Sequence, residues 1–115
     1  MNKLKTVDIK GKAYVTVNER IKYFREKFTG YSMTSEITHI NDNGVMIKTT
    51  IKNDAGIDVA SGHAHEKQNS TFINKTSFIE NCETSSWGRC LANFGIGVDA
   101  NVASADEVAN AIKNQ

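Results

Sequence analysis

The sequence contains no proline and only two cysteines, and it has no long hydrophobic run. Without proline, the turns depend on glycine and asparagine, which occur together at Asn43-Gly44. Cys82 and Cys90 are too few for a disulfide framework, and on one helix they stand roughly 12 Å apart along its axis, too far to bridge. No segment approaches the roughly 18 apolar residues of a membrane span. These absences predict a reduced, cytoplasmic protein without a membrane anchor.

The chain length of 115 residues is typical of one domain. Composition is that of an ordinary globular protein, with 39% hydrophobic and 23% charged residues. A core of this size leaves little room for a deep, enclosed catalytic cavity. We predict a single domain over residues 1–115, with a flexible basic N-terminus over residues 1–12 and a short C-terminal helix within residues 99–115.

The formal net charge of +1 conceals an uneven distribution of charge along the chain. Residues 1–30 carry eight lysines and arginines against three acidic residues, a net charge of +5, and the rest of the chain is slightly acidic. A basic segment of this kind is typical of a surface that contacts a polyanion, although chance clustering on a solvated surface gives the same pattern. Both interpretations stay open for this segment.

Hydrophobic periodicity predicts the element order β-α-β-β-β-α-α. A short strand at residues 14–17 leads into a helix that has Asn18 as its N-cap and ends at Thr29-Gly30. The other main elements are strands at residues 31–40, 44–52 and 57–67 and a long helix at roughly 76–94. This order predicts an α+β fold, in which a three- to four-stranded antiparallel sheet has one long helix packed on it.

No catalytic motif is recognisable, and we predict that the protein is not an enzyme and uses no cofactor. A nucleophile elbow is missing, and Cys82 and Cys90 fit the buried stripe of a helix. His63 and His65 lie two apart on a predicted strand and project to one face, as a zinc pair does. A third metal ligand has no recognisable spacing, so a metal-dependent enzyme built on this pair is the less favoured alternative.

The polar segment before the long helix is a candidate anion site. It places Asn74 and Lys75 near a helix N-terminus, where free N–H groups and the helix dipole favour a phosphate. Ordinary helix capping explains the neighbouring serine and threonine residues equally well. The first alternative function is therefore an oligomeric module that binds a small anionic ligand, such as a nucleotide, between subunits through this region and Arg89.

The long predicted helix carries a motif made of Thr84, Arg89, Leu91, Phe94 and Gly95. In spacing and order these residues resemble the helix motif of the Rad fifty-two-like single-strand annealing superfamily, which includes phage recombinases of the Erf, Sak and Red-beta kinds. The predicted element order also resembles that fold. The resemblance implies a phage-encoded recombination protein that forms a homo-oligomeric ring or filament. It further implies that single-stranded DNA lies in a basic groove, with Arg89 as a groove residue.

Binding of a nucleic-acid backbone without sequence readout requires lysine and arginine rather than base-edge contacts. An open sheet edge favours assembly with further copies of the chain, and many subunits along one strand add their affinities. Tyr14, Tyr23 and Trp87 are candidate stacking surfaces. The predicted nucleic-acid-binding residues are Lys10, Lys12, Arg20, Lys22, Arg25, Lys48, Lys52, Asn74, Lys75 and Arg89.

Overall fold

The computed structural model describes residues 4–68, 72–98 and 101–113, and for residues 72–76 it describes the backbone alone. Within these ranges the elements are β1 (Thr6–Ile9), β2 (Lys12–Val15), α1 (Val17–Lys27), β3 (Ser32–Asn41), β4 (Gly44–Lys52), β5 (Asp58–Lys67), α2 (Phe72–Phe94) and α3 (Ala105–Lys113). Strands β1 and β2 form one antiparallel sheet, and β3, β4 and β5 form another in that order. The predicted α+β class, with a long helix packed on an antiparallel sheet, is confirmed.

The central strand β4 shows why the larger sheet has two different faces. Val45, Ile47 and Ile51 are at most 2% exposed and lie against α2. The alternate residues, including Met46 and Lys48, point to the opposite side, because successive side chains of a strand project in opposite directions. We call this second side, which carries Met46, Lys48, Thr50 and Lys52 of β4 and their cross-strand partners, the outer face.

Helix α2 packs on the inner face through the small and apolar stripe that the sequence predicts. Cys82, Cys90 and Leu91 are fully buried. The helix lies so close to β5 that a Cβ atom at Gly62 would stand 2.8 Å from the backbone Cα of Cys90. At its C-terminus α2 ends before Gly95, whose positive φ of 108° is suited to glycine.

A chain of hydroxyl groups joins the edge strand β3 to α2 through the core. The indole nitrogen of Trp87 donates to Ser35 Oγ at 2.8 Å. Ser35 Oγ lies 2.8 Å from Thr49 Oγ1, which in turn lies 2.7 Å from Ser86 Oγ. Because each polar group has a partner, the burial of Thr49 and Ser86 leaves no unsatisfied hydroxyl. The network holds the half-buried Trp87 against the sheet.

Residues 6–15, which overlap the segment expected to be flexible, form a β-hairpin. Strands β1 and β2 pair from Thr6 opposite Val15 to Ile9 opposite Lys12. The two-residue turn between them has positive φ at both Lys10 (51°) and Gly11 (85°). Two positive φ values in a two-residue loop match the right-handed twist of a hairpin. The basic start of the chain is therefore presented on a hairpin.

Helix α1 has its N-cap two residues before the predicted N-cap, Asn18, which is itself part of the helix. Thr16 is the N-cap, and its hydroxyl accepts a hydrogen bond from the backbone N–H of Glu19. The helix ends at Lys27 rather than at Thr29-Gly30. At this end of the helix lies a cluster of four aromatic rings, those of Phe24, Phe28, Tyr31 and Phe94. The centroids of neighbouring rings in the cluster are 4.7 to 6.0 Å apart. This aromatic cluster packs α1 against the C-terminal end of α2.

Candidate nucleic-acid interface

The predicted basic residues are distributed over several elements. Those of the first quarter lie on the β1–β2 hairpin and on α1, whereas the others lie on the sheet and on α2. Lys10 is in the hairpin turn, and Lys12 opens β2. The predicted residues whose positions are described are Lys10, Lys12, Arg20, Lys22, Arg25, Lys48, Lys52 and Arg89, and all except Arg20 and Lys48 are exposed. The side chains of Asn74 and Lys75 lie outside the described residues.

Arg20 is the clear correction, because its side chain belongs to the core. It has no exposed surface. Its Nη1 donates to the carbonyl of Gly88 at 3.0 Å, and its Nη2 donates to the carbonyl of Asn101 at 2.9 Å. Desolvation lowers the pKa of Arg20, and the nearby carboxylates of Glu107 and Asp106 oppose that shift. A guanidinium enclosed in this way does not reach a phosphate on a nucleic acid.

Helix α3 adds two carboxylates to the cluster around Arg20, of which Glu107 is mostly buried and Asp106 is exposed. Asp106 accepts a hydrogen bond from the backbone N–H of Val17 at 2.7 Å, so it caps α1 from 89 residues along the chain. Glu107 Oε2 pairs with Nη2 of Arg89 at 3.0 Å, and the Glu107 side chain is only 11% exposed. The cluster therefore joins α1, α2 and α3.

The exposed side of α1 presents the most accessible pair of cations. Lys22 is 57% exposed and forms an i,i+3 ion pair with Glu19 at 3.6 Å. Arg25 is exposed, and its guanidinium lies 5.4 Å from the ring centroid of Phe24. An exposed pair of this kind contributes about 0–1 kcal/mol, so Glu19 does not prevent Lys22 from binding a phosphate.

Two predicted lysines lie on the outer face of the larger sheet. Lys48 stands opposite Glu36 of β3 and His63 of β5. Lys52 lies further along β4, where its Nζ is 3.7 Å from a carboxylate oxygen of Asp58. The outer face thus carries both charge signs, and Lys48 is the cross-strand neighbour of His63.

A groove of about 370 Å³ runs along the free edge of β5, and we call it the β5 groove. Its lining residues come from β4, β5, α2 and α3: Met46, His63, Ala64, His65, Glu66, Ser85, Arg89, Glu107 and Asn110. Glu66 Oε1 accepts a hydrogen bond from Asn110 at 2.9 Å. The structure therefore brings Arg89 together with His63 and His65, which the sequence leaves on separate elements.

The rings of the candidate stacking residues are only partly accessible to a base. Tyr14, Tyr23 and Trp87 are each half-buried. Among the aromatic residues whose side chains are described, none is exposed. Stacking of successive unpaired bases requires accessible ring faces. The described surface therefore offers charge to a nucleic-acid backbone but little for unstacked bases.

Metal and thiol chemistry find little support within the described residues. In that part of the chain, no group of three or more histidine, cysteine or acidic residues is placed to hold a metal ion. Cys82 and Cys90 are both free and buried. Desolvation raises the pKa of each thiol to about 11, which disfavours the reactive thiolate.

Comparison with known protein families identifies the core of the chain. A family model described as Slr1353 N-terminal dsRNA-binding domain-like matches residues 21–94. The chain belongs to this family. The match starts within α1, contains the larger sheet and ends with α2, so the family core has the order α-β-β-β-α. No curated protein and no solved structure matches the chain significantly.

This family membership overturns the resemblance to the Rad fifty-two-like superfamily. The motif that suggested it is explained by the packing of one helix: Leu91 is core, Phe94 is in the aromatic cluster, and Gly95 ends α2. Arg89 is held by Glu107. The family supports nucleic-acid binding as the class of function but gives no support to recombination, annealing, a phage origin or ring assembly. None of the helices in the described ranges is long and apolar enough to cross a membrane.

Proposed function

We propose that the protein binds double-stranded RNA through the sugar-phosphate backbone, without reading sequence and without catalysis. The observation that carries this proposal is the match of residues 21–94 to a family named for its likeness to dsRNA-binding domains. Domains of that kind contact two successive minor grooves and the phosphates between them, mainly by shape. A small domain with cations distributed over its surface suits such a role.

The surface chemistry supports a duplex rather than a single strand as the ligand. Proteins that bind single strands combine a basic groove with exposed aromatic side chains. Here the candidate rings of Tyr14, Tyr23 and Trp87 are half-buried, and Trp87 is engaged with Ser35. In a duplex the bases are stacked on each other, so the protein needs only donors for phosphates and 2′-hydroxyls.

The exposed side of α1 is the contact we assign to the RNA backbone. Lys22 and Arg25 lie one turn apart on it, within the family core. Arg25 presents a planar guanidinium, which is suited to bidentate binding of a phosphate. Arg20, on the same helix, is excluded by its burial.

The alternative of a nucleotide bound through Arg89 is less well supported. In the β5 groove the carboxylates of Glu66 and Glu107 face the same space as the guanidinium, and Glu107 already pairs with it. Because these two carboxylates outnumber the one guanidinium, they weaken the attraction of Arg89 for a polyphosphate. Assembly into a homo-oligomer stays a prediction. It is supported by β3, a ten-residue strand at the edge of the larger sheet as described, because an edge strand can pair with a strand of another copy.

Fluorescence anisotropy with a labelled 20-base-pair RNA duplex tests the proposal. We expect the duplex to bind more tightly than a single RNA strand of the same length, with affinity that falls steeply as salt rises. The proposal fails if no duplex RNA binds at low salt, or if the single strand binds equally well. Light scattering of the same sample gives the mass of the protein and tests oligomer formation.

The double substitution Lys22→Ala and Arg25→Ala identifies the contact surface. It should weaken duplex binding roughly tenfold or more and reduce the salt slope by about 2, because two phosphates are no longer neutralised by the protein. Lys113→Ala, which removes an exposed cation from the last turn of α3, is the control and should leave both quantities nearly unchanged. Equal effects of the two variants would remove α1 from the interface.

A further inference from the structure

All three histidines of the chain lie on the outer face of the larger sheet, and two of them line the β5 groove. His63 and His65 stand opposite Lys48 and Met46 of β4, and His39 stands opposite Met46 from the other side. His39 is occupied by a contact between its Nε2 and the amide of Asn41 at 3.1 Å. His63 and His65 are exposed and share the groove with Arg89.

The charge of the β5 groove depends on these two imidazoles. With both neutral, one guanidinium faces the carboxylates of Glu66 and Glu107, and the lining carries one net negative charge. With both protonated, the lining carries one net positive charge. Outside the lining, Lys48 stands opposite His63 on the outer face, and Glu36 stands opposite Lys48 on β3. Histidine is the side chain whose charge ordinarily changes between pH 5 and 8.

We propose that the β5 groove is a second phosphate site, which becomes attractive to a phosphate when His63 and His65 are protonated. The donors are the two imidazolium groups and the guanidinium of Arg89. This proposal rests on the proposed function, because the phosphate bound in the groove belongs to the backbone of a bound RNA. The groove is built from other elements than α1, so its contact would come in addition to those of Lys22 and Arg25. RNA binding therefore strengthens as pH falls.

Affinity for the labelled 20-base-pair RNA duplex at pH 8.0 and pH 5.5, at constant ionic strength, tests the proposal. For the unmodified chain we expect binding to tighten by roughly tenfold for each imidazolium, the size of one charge-assisted hydrogen bond. The double variant His63→Gln and His65→Gln should lose most of this gain. His39→Gln, on the same face but outside the groove, is the matched control and should keep it.

Two results would overturn the proposal: pH-independent binding by the unmodified chain, or an equal gain in the double glutamine variant. Titration with inorganic phosphate at pH 5.5, followed by the imidazole NMR signals of His63 and His65, tests the groove without RNA. Shifts confined to these two histidines support the site, and shifts equal to those of His39 count against it. If no RNA binds at either pH, the proposed function fails, and the phosphate titration still decides whether the groove binds phosphate.

Discussion

Replacement of Arg20 by methionine separates a core role from a binding role. Methionine keeps an apolar stem but removes the donors that reach the carbonyls of Gly88 and Asn101. Each hydrogen bond from a charged group contributes about 1.5–3 kcal/mol, and loss of one partner from a buried charge cluster costs about 3–5 kcal/mol. Glu107 would also be left with Arg89 as its only cationic neighbour among those the structure describes. We therefore expect the free energy of unfolding to fall by about 3–5 kcal/mol.

Urea unfolding and thermal denaturation measure this loss. For a domain of about 100 residues, each 1 kcal/mol lowers Tm by roughly 4–8 °C, so the Arg20→Met variant should melt at least about 12 °C lower. Arg25→Met, on the exposed side of the same helix, is the matched control and should change the stability by at most about 0.5 kcal/mol. Duplex RNA affinity, measured below Tm, should fall for Arg25→Met and stay unchanged for Arg20→Met. Equal stability of the two variants would refute the assignment of Arg20 to the core.

Two further predictions concern packing and alkaline pH. In urea unfolding, Gly62→Ala should destabilise the fold by about 1–3 kcal/mol, because the new Cβ would clash with the backbone of Arg89 and Cys90. Gly30→Ala is the control, since its Cβ would meet only the side chain of Asp54. The stability of this control should stay within about 0.5 kcal/mol of that of the unmodified chain. Burial raises the folded-state pKa of Cys82 and Cys90 to about 11, so these thiols ionise in the unfolded chain at a lower pH than in the folded protein. The free energy of unfolding should therefore be unaffected by them below about pH 9. It should fall as the pH rises toward 11, by up to roughly 2–3 kcal/mol for each thiol. Free energies of unfolding that stay level from pH 8 to pH 11 would contradict this second prediction.

The sequence predicts the larger sheet and its helix well because their patterns are periodic. The strand predicted at residues 44–52 coincides with β4, and its alternate residues Val45, Ile47 and Ile51 are buried. A two-residue repeat on a sheet with one covered face leaves no other register. The stripe of Cys82, Cys90 and Leu91 on α2 follows from the helical repeat in the same way.

Local patterns do not predict the N-terminal hairpin or the burial of Arg20. The turn of the hairpin is Lys10-Gly11, and lysine at a positive φ lacks the asparagine-glycine signal that marks the turn before β4. Arg20 has the spacing of an exposed helical cation, and its partners lie 68 and 81 residues away in the chain. A short window of sequence contains no pattern that indicates contacts between residues so far apart in the chain.

The candidate site is predicted only in part for a related reason. Lys22 and Arg25 are identified by charge, since a cation on the polar side of an amphipathic helix is normally exposed. The β5 groove unites residues from four elements, and neither the pairing of His63 with Lys48 nor the approach of Arg89 follows from spacing. The motif around Arg89 led to the wrong family because helix packing and capping produce the same residue types.

The cap that Asp106 places on α1 has a consequence for the order of folding. To join the carboxylate of Asp106 to the backbone of Val17, the chain must close a loop of 89 residues. Loop closure of this length costs about 4 kcal/mol of chain entropy before any contact is gained. The hairpins and α2 need much shorter closures, so we expect the transition state to contain them while α3 is still undocked. Docking of α3, which brings Asp106 to the start of α1, is then expected as a late step in folding.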